Sequence, residues 1–260
     1  MPFLTRPCGA RLWYECRGSG PSVLLLAPGG MHSNSRMWAR ASFDAWSQLP
    51  HAGFRCIAMD QRNAGKSARC PLGNGWQTYL DDQLALLDRL GCETSLTLGC
   101  CIGPSFQLRM NSAASDRVSA AVLLQPIGMA RHTVEKQTWT GLNTGATSHW
   151  FDLWANDMER NGRASRTELM QLEASMFGSG FVFSVSREEV ASIHTPMLVA
   201  PGSDVYHPCA IAHEIVALSP RSRLLDRQWT DTGEATFGAI VRFLREHAAS
   251  QPFHEQQTDV

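Results

Sequence analysis

The stretch Leu96-Thr97-Leu98-Gly99-Cys100-Cys101-Ile102-Gly103 constrains this chain more than any other. It reads as an apolar strand, a tight turn and the start of a helix, with a glycine two residues either side of Cys101. A side chain held at a sharp strand-to-helix turn draws neighbouring backbone close, and only the smallest residues fit at its flanks. The same string could surround a buried cysteine beside a second one. Its place at a strand-to-helix junction, after earlier strands, favours a chemical role for Cys101.

The rest of the chain alternates in the way that junction requires. Strands are expected over 11–17, 23–27, 54–59, 96–99, 120–125, 197–200 and 223–229. Helices are expected over 36–49, 79–90, 102–110, 209–218 and 236–247. In the second of these, Leu80, Leu84, Leu87 and Leu90 fall on one face. Strands alternating with helices imply an α/β chain with a mostly parallel sheet covered on both faces.

The interval 128–194 breaks the alternation. It is rich in Trp and Met and reads as a helical cap inserted into a core of residues 1–127 and 195–260. Ser186-Arg187-Glu188-Glu189 has the Ser-x-x-Glu form of a capping box and starts the last helix of the insertion. Trp139, Trp150, Phe151, Trp154, Phe177, Phe181 and Phe183 crowd this interval. Most are read as packing between cap and core; as a group they suit a small apolar or aromatic substrate.

Composition excludes several classes of function. Apolar residues make up 43% of the 260 and charged residues 18%, which suits a globular enzyme and not a disordered chain. The formal net charge is -1 and no basic cluster occurs, so neither nucleic acid nor a membrane surface is expected as a partner. The N-terminus carries no charged leader or long apolar run, and a cytoplasmic protein is expected. The eight cysteines lack metal-site spacing and several lie in apolar runs, which points to reduced thiols, no metal and no cofactor. Association into a homodimer is left open.

Cys101 would sit at the N-terminus of a helix, which favours a thiolate, and the Ile102 N–H would face an oxyanion formed there. With these pieces the chain resembles the α/β-hydrolase family over nearly its whole length. Leu24-Leu25-Leu26-Ala27-Pro28-Gly29-Gly30 is similar to that family's oxyanion loop, and Asp60-Gln61-Arg62-Asn63-Ala64-Gly65-Lys66-Ser67 to its Asp-x-Arg-Gly-x-Gly-x-Ser motif. Pro196-Met197-Leu198-Val199-Ala200-Pro201-Gly202-Ser203-Asp204 resembles the strand that carries the acid. A cysteine at the turn is similar to the dienelactone hydrolases. The resemblance implies an eight-stranded-type sheet, Cys101 as nucleophile, Gly30, Met31 and Ile102 as oxyanion donors, and Asp204 as the acid. Asp60 and Arg62 are read as bracing loops.

The family places its histidine after the last strand, and residues 226–234 contain none. His207, three residues after Asp204, ranks first as substitute base. His32, His132 and the carboxylate Asp231 are alternatives. A thiol ionises more readily than a hydroxyl, so cysteine tolerates a missing base better than serine would. The first expectation is a hydrolase of a small ester, lactone, thioester or activated C–C bond, working through an acyl-enzyme on Cys101. An acyltransferase or cyclase/lyase on the same site is the second, and a non-catalytic ligand-binding protein on this fold is the third.

Overall fold

A computed structural model describes residues 2–129, 149–225 and 234–248, apart from positions 42, 68, 179 and 205. Eight strands form one sheet: β1 (Phe3–Thr5), β2 (Arg11–Arg17), β3 (Ser22–Leu26), β4 (Arg55–Met59), β5 (Ser95–Cys100), β6 (Val118–Leu124), β7 (Met197–Ala200) and β8 (Ser222–Leu224). Their order across the sheet is β1-β2-β4-β3-β5-β6-β7-β8. The pairs β1/β2 and β2/β4 are antiparallel, and every other neighbouring pair is parallel.

The helices are α1 (Ala45–His51), α2 (Trp76–Arg89), α3 (Gly103–Ala113), α4 (His149–Arg160), α5 (Arg166–Phe177), α6 (Arg187–Ala191), α7 (Cys209–Leu218) and α8 (Glu234–Ala248). Because side chains alternate along a strand, each central strand feeds two cores. Leu24 and Leu26 of β3 pack with Leu80, Leu86 and Leu87 of α2 and with Phe106 of α3. Val23 and Leu25 face the other way, onto Leu49 of α1 and Ile240, Phe243 and Leu244 of α8. The five residues of β3 are all buried, and Leu24, Leu25 and Leu26 have no exposed surface. Each such leucine contributes roughly 1.5–3 kcal/mol. This explains why β3 reads as an unbroken apolar run and not as an alternating strand.

Three elements differ from the sequence expectation. Residues 36–49 form two pieces: a 3-10 segment, Ser35–Arg40, and then α1. Ala41 is extended, and Asp44 starts the new helix by accepting a hydrogen bond from the Ser47 N–H. A short first strand, β1, was not foreseen; three residues are too few to show a period. The last strand ends at Leu224, and residues 226–229 of the expected strand lie outside the described residues. The capping box at Ser186 is present, and a second stands at Ser165 and Glu168.

Helices α4, α5 and α6 follow β6 and precede β7 in the chain. Phe151, Trp154, Phe177 and Phe183 are buried in the same core as α2 and α3. Two indole N–H groups tie these helices to the sheet side. Trp154 Nε1 donates to the Asn63 carbonyl at 3.2 Å, and Trp76 Nε1 donates to the Met176 carbonyl at 2.7 Å. Trp139 lies outside the described residues, as does the side chain of Trp150. Among the described residues, no helix is long and apolar enough to cross a membrane.

Candidate active site

The site lies at the C-terminal ends of β5, β6 and β7. Cys101 leaves β5 with φ 62°, a left-handed conformation that costs a non-glycine residue of order 1–3 kcal/mol. Backbone bonds hold it there: its N–H donates to the Leu124 carbonyl at 3.1 Å, and its carbonyl accepts from the Ile127 N–H at 3.3 Å. The flanking glycines are needed for space. A β-carbon on Gly103 would run into the Leu26 carbonyl, and one on Gly99 would run into Gln107 Oε1 and lie 2.7 Å from the Gly103 carbonyl carbon. Pro104 stands in the first turn of α3, where its missing N–H costs nothing.

Cys100 and Cys101 part company at this turn. Cys100 is buried in the core beneath α8, where burial pushes its thiol well above the ordinary range, and Gln125 Nε2 donates to its sulfur at 3.6 Å. All eight cysteines are free thiols, so no vicinal disulfide blocks Cys101.

His207 is buried and reaches Cys101 from the loop after β7. Its Nδ1 lies 2.8 Å from Asp204 Oδ2 and 2.9 Å from Asp204 Oδ1. Asp204 Oδ1 also accepts the Tyr206 and His207 N–H groups at 2.8 and 3.0 Å, which fixes the carboxylate in its own turn. With Nδ1 committed to Asp204, the buried Nε2 has no hydrogen-bond partner among the described residues, and the Cys101 thiol lies near enough for the two groups to shift each other's titration.

Burial alone would raise the Cys101 thiol. The hydrogen bond and charge of His207, together with the Gly29 and Ile102 N–H groups, outweigh burial and hold it below the ordinary range. Burial alone would lower His207. Cys101 and then Asp204 outweigh that and push the imidazole up to about 9. Asp204 feels burial upward, but His207 and the two turn amides hold its carboxyl below the usual carboxylate range. All three shifts favour a thiolate, an imidazolium and a carboxylate in a row.

Of the sequence candidates, the structure brings Cys101, His207, Asp204 and Ile102 together. The Gly29 N–H, which the sequence did not single out, acts on the thiol together with that of Ile102. Gly30 and Met31 continue into the 3-10 turn Gly30–His32. Its bonds run from the His32 N–H to the Gly29 carbonyl and from the Ser33 N–H to the Gly30 carbonyl, which leaves the Gly30 and Met31 N–H groups outside that pattern. His32 is not among the groups that act on the thiol. It is lowered by burial and faces the charge of Asp157 on α4. His132 and Asp231 lie outside the described residues. Asp60 and Arg62 brace loops: Asp60 accepts from the Ser35 and Lys66 N–H groups at 2.8 and 2.7 Å, and Arg62 is paired with Asp82 at 2.9 Å. Among the described residues, no group of three or more His, Cys, Asp or Glu is placed to hold a metal.

The non-heme haloperoxidase of Rhodococcus erythropolis is 30% identical over 128 residues, covering 48% of this chain and 43% of that protein. The chain spans less than half the length of the curated relatives it matches. Solved structures align over nearly the whole chain. The meta-cleavage product hydrolase from Pseudomonas fluorescens IP01 gives a TM-score of 0.64 at 20% identity, covering 94% of this chain and 97% of that one. The enol-lactonase from Burkholderia xenovorans LB400 gives 0.58 at 20% identity, covering 96% and 100%. At that identity these structures speak for the fold alone. A sequence model described as alpha/beta hydrolase fold matches residues 22–172, more than half of the chain, and the protein belongs to that family.

Proposed function

We propose that this protein is a cysteine-nucleophile hydrolase acting on a small ester, lactone, thioester or activated C–C bond. The observation that carries the reading is the buried His207, held by Asp204 through Nδ1 and with Nε2 unpartnered, beside a Cys101 thiol whose titration it lowers. In the resting site the thiolate is held by the Gly29 and Ile102 N–H groups. When sulfur attacks a carbonyl carbon, its charge passes to the carbonyl oxygen, and these amides, joined by those of Gly30 and Met31, turn to that oxygen. The His207 imidazolium then gives its proton to the leaving group as the C–X bond breaks. Acylated sulfur carries no charge, so the upward push of Cys101 on His207 is gone. A neutral imidazole remains and takes a proton from water, whose oxygen attacks the acyl carbon and releases acid and thiolate.

The interval 128–194 would act as a cap, with the aromatic cluster of α4 and α5 supplying apolar walls for a small substrate. Proteins named meta-cleavage product hydrolase and enol-lactonase share the fold, and the C–C bond and lactone classes are proposed with those names in view. Incubation with p-nitrophenyl acetate tests the reading. Acetate release and an acetylated Cys101 peptide seen by mass spectrometry are expected in the parent chain, with both lost in Cys101→Ala. Turnover undiminished in Cys101→Ala would sink it. An acyl-enzyme that forms but releases only to added alcohol, thiol or amine would make the protein an acyltransferase.

A further inference from the structure

Gly202 lies on the loop from β7 to His207, and the space beside it is already taken. A β-carbon there would collide with the β-carbon and the carbonyl oxygen of His207, and would lie 3.1 Å from Cβ of Gln125. Gly202 is buried, whereas its neighbour Ser203 is exposed. Neither wall of this slot gives way easily. The His207 backbone is tied on one side to the Asp204 turn, through its N–H to the Asp204 carbonyl at 3.2 Å and to Oδ1 at 3.0 Å. On the other side Pro208 starts α7, and the Ile211 N–H donates to the Pro208 carbonyl at 3.0 Å.

Gln125 closes the opposite side. It follows β6 with φ 39°, a strained value for a non-glycine residue, and its N–H donates to the Ala200 carbonyl at 2.8 Å. Its side chain reaches Cys100, the residue before the nucleophile. Gln125 therefore packs against the strand end that carries Cys101 and against the loop that carries His207.

We propose that Gly202 is a positioning residue for the reaction: its missing side chain leaves the slot, walled by Gln125, in which His207 folds back to meet Cys101. Any side chain at 202 pushes His207 out of reach of the sulfur while leaving Cys101, Gly29 and Ile102 in place. The inference rests on the reading of Cys101 and His207 as a reacting pair.

The test is the rate of iodoacetamide alkylation at Cys101 against pH, followed by mass spectrometry of the folded protein. Gly202→Ala is expected to move the alkylation midpoint upward, toward that of His207→Ala, and to cut the rate at pH 6 by tenfold or more, about the factor that a midpoint shift of one unit gives. Ser203→Ala, on the exposed neighbour, is expected to keep the parent profile. A parent-like profile in Gly202→Ala, with His207→Ala shifted, overturns the role of Gly202 alone. A parent-like profile in His207→Ala overturns the pairing itself and this inference with it. If Gly202→Ala does not fold, the comparison moves to the His207→Gly background, where the colliding β-carbon is gone and the wider φ/ψ range of glycine lets the carbonyl oxygen turn aside between the same anchors. There Gly202→Ala is expected to fold and to lower the melting temperature little. Failure to fold in that background as well overturns the proposal.

Discussion

His207 and Asp204 stand three residues apart on one loop, with Nδ1 of the imidazole 2.8 Å from Oδ2 of the carboxylate. Imidazole and carboxylate thus come from a single turn after β7. The turn is self-bracing, since the carboxylate that orients the ring also accepts the backbone N–H of His207. Residues 226–234 contain no histidine, whereas this loop carries one beside a carboxylate.

Replacing Asp204 with Asn keeps the size of the side chain and removes its charge. The ring loses part of what holds it protonated and oriented, and its Nδ1–H can face an amide N–H in place of an acceptor. The Asp204 side chain is 54% exposed, so water partly substitutes for it. The expected loss in kcat with p-nitrophenyl acetate is about 10²-fold, at the low end of what a positioned acid–base group supplies. A kcat within twofold of the parent would show that the His207–Asp204 contact is structural only.

The paired shifts set a pH window. His207 titrates at about 9 in the fold against an ordinary 6.5. Its contribution to stability is therefore complete below its unfolded value and is lost as pH rises through about 9. Cys101 is displaced the other way, below 9.0, so its contribution is present above the unfolded thiol value and is lost as pH falls through the lowered folded one. The two groups titrate as a pair, and turnover is expected to be bell-shaped, with its alkaline limb near 9. Melting temperatures of the parent and of His207→Ala, compared from pH 6 to pH 10, check the sign: the parent's advantage should shrink through about 9. An advantage that grows over that range would refute the assignment.

The sequence made the strand-to-helix turn at Cys101 and the succession of strands along the chain legible because both depend on local rules. Gly99 and Gly103 are demanded by backbone contacts a few residues or one strand away, and the apolar runs of β3, β5 and β6 follow from burial on two faces. The Asp204–His207 spacing was visible as well, since a short turn can bring residues three apart into contact. Other features arise only in three dimensions. The Gly29 amide meets the sulfur because β3 lies beside β5 in the sheet. Gln125 and Gly202 matter through packing between loops that no periodicity records. The break between Ser35–Arg40 and α1 was hidden by apolar spacing that happens to run through both pieces.

The buried pair Arg62–Asp82 predicts a large structural effect. Arg62 is 3% and Asp82 1% exposed at the side chain, with two contacts of 2.9 Å between them. Arg6 adds a third contact to Asp82 at 3.1 Å. Removing the carboxylate strands a guanidinium that is out of water, which costs about 3–5 kcal/mol. At roughly 2–4 °C per kcal/mol for a chain of this size, Asp82→Ala should melt about 6–20 °C lower by calorimetry. A drop under 2 °C would mean that water reaches Arg62 in the native fold.

Cys101→Ser asks whether sulfur itself matters. The hydroxyl has nearly the same shape but does not ionise near neutrality, so the charge that lifts His207 to about 9 disappears. His207 is then pushed down by burial and up only by Asp204. It becomes a neutral base at neutral pH, as a serine nucleophile would require, yet the turn holds a larger atom whose charge His207 and the Gly29 and Ile102 N–H groups stabilise. The serine variant is therefore expected to keep a trace of esterase activity, about 10²–10⁴-fold below the parent, with its alkaline limb at 9 abolished. The pH dependence of p-nitrophenyl acetate turnover measures both. Full activity in Cys101→Ser would mean that the thiolate–imidazolium pair is not what drives the reaction.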